Sequence, residues 1–219
     1  MELEITLLKT ITEKRVYKKS FADLVVNFEK KLLMFNPVEK AVKIEKYFLP
    51  GGIVSVTKRL LADNVIPQDC LREYKTKNNN LKNDFKGLYI FVHDKTPIYA
   101  GISKAVIGRI LQHIKRYDHY ASTLAYSIGL VQYEILEKTK YSGSRKDFDF
   151  KKYVTSAQEF LHKQKIAFLP ILNDEELYLF EIYCEMQLQC SFNKFEIHLV
   201  LVKSLDIMSK RKPFLPIQL

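Results

Sequence analysis

The segment Gly87-Leu88-Tyr89-Ile90-Phe91-Val92-His93-Asp94-Lys95-Thr96-Pro97-Ile98-Tyr99-Ala100-Gly101-Ile102 holds two β-rich runs around one polar turn. Aromatic and β-branched residues favour strands, and a short polar break between two such runs reads as a hairpin. Ser103 follows as a candidate N-cap for a helix from about Lys104 to Tyr117. At about 100° per residue, Ile107, Ile110, Leu111 and Ile114 share one stripe, and Arg109, His113 and Arg116 fall opposite. The segment therefore predicts two tyrosines on adjacent strands, with a cation and an imidazole on the next helix. Such a cluster suits the cleavage of a phosphodiester. Arg offers a planar, permanently charged fork for phosphate oxygens, and a phenol near a cation or metal can relay a proton. An ordinary solvated helix face and half-buried strand tyrosines are the simpler readings of the same residues.

Outward from this hairpin the chain is basic. Among its 219 residues, 35 Lys plus Arg stand against 25 Asp plus Glu, a net charge of +10. That excess points to nucleic acid or another anionic partner. Hydrophobic residues make up 47%, enough for a sizeable core and against global disorder. Cys70, Cys184 and Cys190 lack metal-ligand spacing, and their odd, sparse count suggests reduced thiols in a cytoplasm. The N-terminus carries acidic residues and no long apolar run, which argues against a signal peptide, and no apolar stretch is long enough for a membrane span.

Upstream, residues 1–80 read as a mainly helical accessory region. Ser20 is placed to cap a helix over 21–35, with Leu24, Phe28, Leu32 and Phe35 at helical spacing. Asn36-Pro37 restarts a helix, and Pro50-Gly51-Gly52 is a turn after which Ser55 is a candidate cap for a helix through Leu61. Helix, turn and helix in a basic segment fit either DNA contact or plain packing. Residues 72–86, polar with three consecutive asparagines, read as a linker or a long surface loop.

Downstream, 121–137 and 147–163 predict two further helices and 167–172 a third strand. Asn173 and Glu176 form a candidate capping box for a helix through Cys190. On that helix Glu181 lies at the edge of the stripe Leu177, Phe180, Cys184 and Leu188, about 40° from Leu177. An uncompensated carboxylate there is costly, so it either pairs with a lysine or holds a Mg2+ ion completed by water and phosphate. Asp174, Glu175 and Glu176 sit in the first turn, where they merely favour the helix dipole.

Taken together, GLYIFVHDKTPIYAGISKAVIGRILQH and the later LFEIYCEMQLQCSFN resemble the GIY-YIG nuclease family. Gly87-Leu88-Tyr89 stands at the first family triplet and Tyr99-Ala100-Gly101 at the second. Arg109 falls on the helix arginine, His113 on the polar residue one turn later, Glu181 on the metal-binding glutamate and Asn193 on the asparagine after that helix. The match is close over 87–102, good over 104–117 and moderate over 168–195. It leaves 1–80 uncovered and makes 121–163 an insertion, while residues 118–128 could still contribute to the site through His119 or Ser122. Leu88 and Ala100 replace the central isoleucines, and Ile102 stands where some members carry a lysine; if a lysine helps activate the water, Lys104 or another group would have to supply that role.

The resemblance implies an α+β fold: a small three-stranded antiparallel sheet flanked by helices within residues 81–200, followed by a tail at 201–219. It implies a metal-dependent DNA endonuclease using Mg2+ or Mn2+ on Glu181. Tyr89, Tyr99, Arg109 and His113 would be its catalytic groups, and either tyrosine could be the base. Gly87, Gly101 and Asn193 would be structural or orienting, while Lys104, Arg116 and His119 are possible substrate contacts. A non-cleaving nucleic-acid-binding module with the same fold is the alternative. Cutting both strands from one site would need a homodimer or two successive nicks.

Overall fold

The computed structural model describes residues 20–75, 81–118 and 120–193. His119, residues 76–80 of the polar stretch and the tail at 201–219 lie outside these. The fold is mixed α and β, with a four-stranded antiparallel sheet, a separate two-stranded hairpin and helices on both faces of the larger sheet.

The hairpin of the larger sheet forms because β4 (Gly87–His93) and β5 (Thr96–Ser103) pair antiparallel, with Tyr89 opposite Gly101 and Ile90 opposite Ala100. A bulge between Phe91 and Val92 shifts the register near Ile98. Strand β6 (Lys165–Pro170) flanks β4 on its other side, and the two-residue β1 (Val42–Lys43) closes that edge, giving the order β1-β6-β4-β5. The expected three strands are thus joined by a fourth. Two residues between short helices are too few to leave a period-2 pattern, so only their pairing with Ile166 and Lys165 reveals them.

Side-chain alternation along β4 splits the core. Leu88, Ile90 and Val92 meet α1 (Phe21–Phe35) and α8 (Asp174–Leu188) through Phe28, Phe35, Leu177, Phe180 and Cys184. Tyr89 and Phe91 face the opposite layer of α3 (Ile44–Phe48), α4 (Ile53–Ala62), α5 (Val106–Lys115), α6 (Thr123–Glu137) and α7 (Thr155–His162). The short α2 (Pro37–Lys40) links α1 to β1, and a π-helical turn over Phe150–Val154 leads into α7. Helices cover β4 on both sides, which is why its sequence is continuously apolar from Leu88 to Val92. Residues of α3 and α4 share this second core with Tyr89 and α5.

Several caps follow the sequence. Ser20 accepts from the Asp23 N–H at the start of α1, Asn36 caps α2, and Asn173 accepts from the Glu176 N–H at 2.7 Å at the start of α8. Glu176 pairs with Lys31 of α1, which binds these two helices together. Ser55 is not a cap: Gly52 begins α4, and Ser55 lies inside it.

Two further expectations change. The polar stretch after Cys70 is neither a linker nor a loop throughout, because β2 (Leu71–Lys75) and β3 (Leu81–Phe85) pair as a hairpin. The anchor is the end of β3, where Phe85 and Asp84 are buried. Asp84 also displaces Ser103 as the cap of α5: Oδ1 accepts from the Ile107 N–H at 2.9 Å and Oδ2 from the Gly108 N–H at 2.8 Å. Ser103 accepts only from the Ala105 N–H, before the helix begins. Burial holds the Asp84 carboxyl up at about 6 against the pull of three backbone amides. Asp84→Ala would leave those buried donors bare, and urea denaturation should read a loss of about 2 to 3 kcal/mol.

Candidate active site

The two tyrosines reach one place by different routes. Tyr89 points from β4 into the core and is fully buried, with its hydroxyl 3.0 Å from His113 Nε2 on α5. Tyr99 lies diagonally across the hairpin, its ring centroid 6.1 Å from that of Tyr89 and 5.8 Å from His113. Gly101, directly opposite Tyr89, makes the arrangement sterically feasible. A Cβ there would stand 2.7 Å from the Tyr89 hydroxyl and 2.7 Å from Tyr99 Cε1. Gly87 meets a similar limit against β6, where a Cβ would lie 2.4 Å from the Leu169 carbonyl oxygen.

His113 does not occupy a solvated cationic face. It is fully buried, and burial together with the Arg109 charge holds its imidazole well below the usual histidine range, so the ring is neutral. The helical pattern placed it opposite the aliphatic stripe correctly, but a second helix, α6, covers that side. Arg109 is partly buried for the same reason. Its Nη1 donates to Gln112 Oε1 and the Ala121 carbonyl, each at 3.0 Å, and its Nη2 donates to Thr123 Oγ1 at 2.9 Å. It also acts on Tyr89, its charge and hydrogen bond both opposing the rise that burial imposes on that phenol. Burial likewise raises Tyr99, with Arg109 pulling down and Glu181 and Glu185 pushing up.

Around the outer edge of β5 opens a cavity of about 320 Å³ lined by Tyr99, Thr123, Leu124, Ser127, Glu181, Glu185, Phe192 and Asn193. Glu181 and Glu185 lie one turn apart on α8 and point to the same side. Thr123 and Ser127, also one turn apart, offer hydroxyls from α6. Asn193 closes one end by clasping β5: Nδ2 donates to the Ala100 carbonyl at 2.6 Å, and Oδ1 accepts the Ala100 N–H at 2.7 Å. Burial, with Glu185 adding to it, raises Glu181 to about 7 against the hydrogen bond it accepts from the Ile102 amide.

The cavity thus gathers Tyr99, Glu181 and Asn193, with Tyr89, Arg109 and His113 stacked behind Tyr99. Lys104 is exposed near Asp174, whose carboxyl it helps hold down, and Arg116 is exposed at the end of α5; neither lines the cavity. Ser122 is buried and donates to the Gln112 and Arg116 carbonyls, tying α5 to α6. Thr123, Ser127 and Glu185 escaped the sequence reading. The four-residue spacing from Glu181 to Glu185 was a usable signal, whereas nothing in the sequence marks α6 as a wall of the site.

Among the described residues no group of three or more His, Cys, Asp or Glu side chains could hold a metal. Two carboxylates flanked by hydroxyls nevertheless suit a hard cation such as Mg2+, which commonly takes one or two carboxylates and fills its shell with water and phosphate. Cys70, Cys184 and Cys190 are unpaired and buried, and burial pushes the thiols of Cys70 and Cys190 up to about 11 and about 12. No helix among the described residues is long and apolar enough to cross a membrane. The chain matches no known protein-family model, no curated protein and no solved structure.

Because folding raises the Glu181 pKa above its unfolded value of 4.5, the native state holds this proton more tightly. The associated stability is fully present below pH 4.5 and is lost as the pH rises through about 7. Without divalent cations, Glu181→Gln should therefore melt above the wild type at about pH 8, and the two should converge near pH 5. Melting curves at both pH values provide the check, and equal midpoints at the higher pH would show that Glu181 ionises freely.

Proposed function

We propose that the protein is a metal-dependent DNA endonuclease of the GIY-YIG type. One observation carries the reading. Tyr99, Glu181 and Asn193, from a strand, a helix and the turn after it, line one cavity, with Tyr89, Arg109 and His113 packed behind. These are the positions that the family resemblance singles out. The antiparallel arrangement of β6, β4 and β5 is compatible with the three-stranded sheet of that family, β1 being an addition at one edge.

Each group then has a task. Glu181, with Glu185 beside it, would hold Mg2+ or Mn2+, which when bound supplies Lewis-acid stabilisation of charge on the phosphate and the leaving oxygen. Tyr99 is the phenol that meets the scissile phosphate or the attacking water, since Tyr89 is enclosed by protein. Arg109 lends positive potential from behind the phenols and fixes Thr123 in the cavity wall. Asn193 orients that wall through β5. The net charge of +10 suits a polyanionic substrate. Cleavage of both strands would need a homodimer or successive nicks. Residues 1–80 remain the proposed accessory region of an 81–200 nuclease domain.

One feature favours the alternative, a nucleic-acid-binding module that does not cut. The Arg109 guanidinium spends its donors on Gln112, Ala121 and Thr123, leaving it less free to clamp a phosphate. Plasmid nicking separates the two. The wild type should nick DNA with Mg2+ or Mn2+ and stop with chelator. Glu181→Ala and Arg109→Ala should each slow nicking by at least ~10²-fold while circular dichroism stays unchanged. Wild-type rates in both variants would remove the site assignment. Binding without cutting of duplex, branched and single-stranded DNA would establish the binding module.

A further inference from the structure

His113 meets a different neighbour on each ring nitrogen. Nε2 lies 3.0 Å from the Tyr89 hydroxyl. Nδ1 faces the Leu124 backbone N–H at 3.4 Å. Leu124 stands in the first turn of α6, where amides have no partner within the helix, and Ser122 supplies no side-chain cap. A backbone N–H can only donate, so Nδ1 must accept and carries no proton. The neutral ring then bears its proton on Nε2 and donates to the Tyr89 oxygen. The opposite tautomer would set two donors against each other in the core.

This fixes the direction of the next bond. The Tyr89 oxygen accepts from His113 Nε2, so its own proton points away from the imidazole. Tyr99 packs against both rings, its centroid 6.1 Å from Tyr89 and 5.8 Å from His113. Tyr99 in turn lines the cavity with Glu181 and Glu185. The donors from the Leu124 amide through His113 to Tyr89 run in one sense.

We infer that His113 is a positioning residue, held as the Nε2–H tautomer, which donates to the Tyr89 oxygen and fixes the phenol that packs behind Tyr99 in the cavity wall. Resting on the nuclease reading, the inference gives His113 no contact with substrate: it acts through the buried Tyr89, which supports Tyr99 from behind. The groups facing the imidazole agree with a neutral ring: Arg109 from its own helix is cationic, Tyr89 and Tyr99 are un-ionised phenols, Phe91 is apolar, and the N-terminus of α6 carries a partial positive charge.

Nitrogen-15 NMR of the full chain tests the tautomer without any need for activity. His113 should show a protonated Nε2 and a bare Nδ1, unchanged from about pH 5.5 to about pH 8. A bare Nε2, or an imidazolium appearing in that range, overturns the inference whether or not the protein cuts DNA. Nicking assays test the consequence. His113→Leu should lower kcat about tenfold or more with KM for DNA unchanged, as expected of a misplaced phenol. His113→Gln, whose amide can both accept from Leu124 and donate to Tyr89, should recover most of that loss. Equal kcat in His113→Leu and wild type overturns the positioning role. A wild type that cuts nothing ends the nuclease reading and with it the role of Tyr99, while the NMR result separately upholds or rejects the His113 tautomer.

Discussion

A buried phenol on a central strand has to find partners for its oxygen, because an unpaired polar group in the core costs more than the strand gains by holding it. Tyr89 is that phenol, and the layer above the sheet is arranged around it. Gly101 opposite leaves room for the hydroxyl. His113 reaches it from α5, and two side chains tie that helix to α6: His113 receives the first-turn amide of α6, and Arg109 donates to Ala121 and Thr123 at its start. The cluster around one hydroxyl is thereby tied to the start of α6, whose Thr123, Leu124 and Ser127 line the cavity.

The outer edge of β5 is governed by a second constraint. Edge strands present bare amides and carbonyls that invite pairing with another chain. Here side chains take the place of a neighbouring strand: Asn193 clasps both backbone groups of Ala100, and Glu181 accepts from Ile102. Phe192 adds its own N–H to the Ile98 carbonyl at the bulge. The same edge carries a carboxylate into a half-enclosed cavity, where burial raises Glu181. Tyr99 and Arg109 stand just behind, which keeps phenol, cation and carboxylate within one electrostatic neighbourhood.

Much of this could be read along the chain. The hairpin at 87–103, the apolar stripes of α1 and α5, and the Ser20, Asn36 and Asn173 caps are local features, each written within one or two turns of backbone. Glu181 stood out because a carboxylate beside an apolar stripe is unusual within its own helix. Harder to see were residues whose roles depend on distant partners. Asp84 sits in a polar run that looks like a loop, yet it caps a helix that begins more than twenty residues later. Ser103, the nearer candidate, was the wrong choice because a remote carboxylate with two oxygens satisfied two helix amides together.

His113 marks the boundary between the two kinds of information. Its position on the helix, opposite the aliphatic stripe and one turn from Arg109, follows from 3.6-residue geometry alone. Its neutrality, its burial and the use of both ring nitrogens do not, since these come from α6 folding over that face. By itself the sequence determined the hairpin, the helix periods and the order of Tyr89, Tyr99, Arg109, His113, Glu181 and Asn193. Only the tertiary structure decided that Tyr99 lines the cavity while Tyr89 is sealed behind it, and that Glu185, Thr123 and Ser127 share the cavity wall. The reason is physical: periodicity fixes the face on which a side chain emerges, whereas desolvation and hydrogen-bond partners depend on what packs against that face.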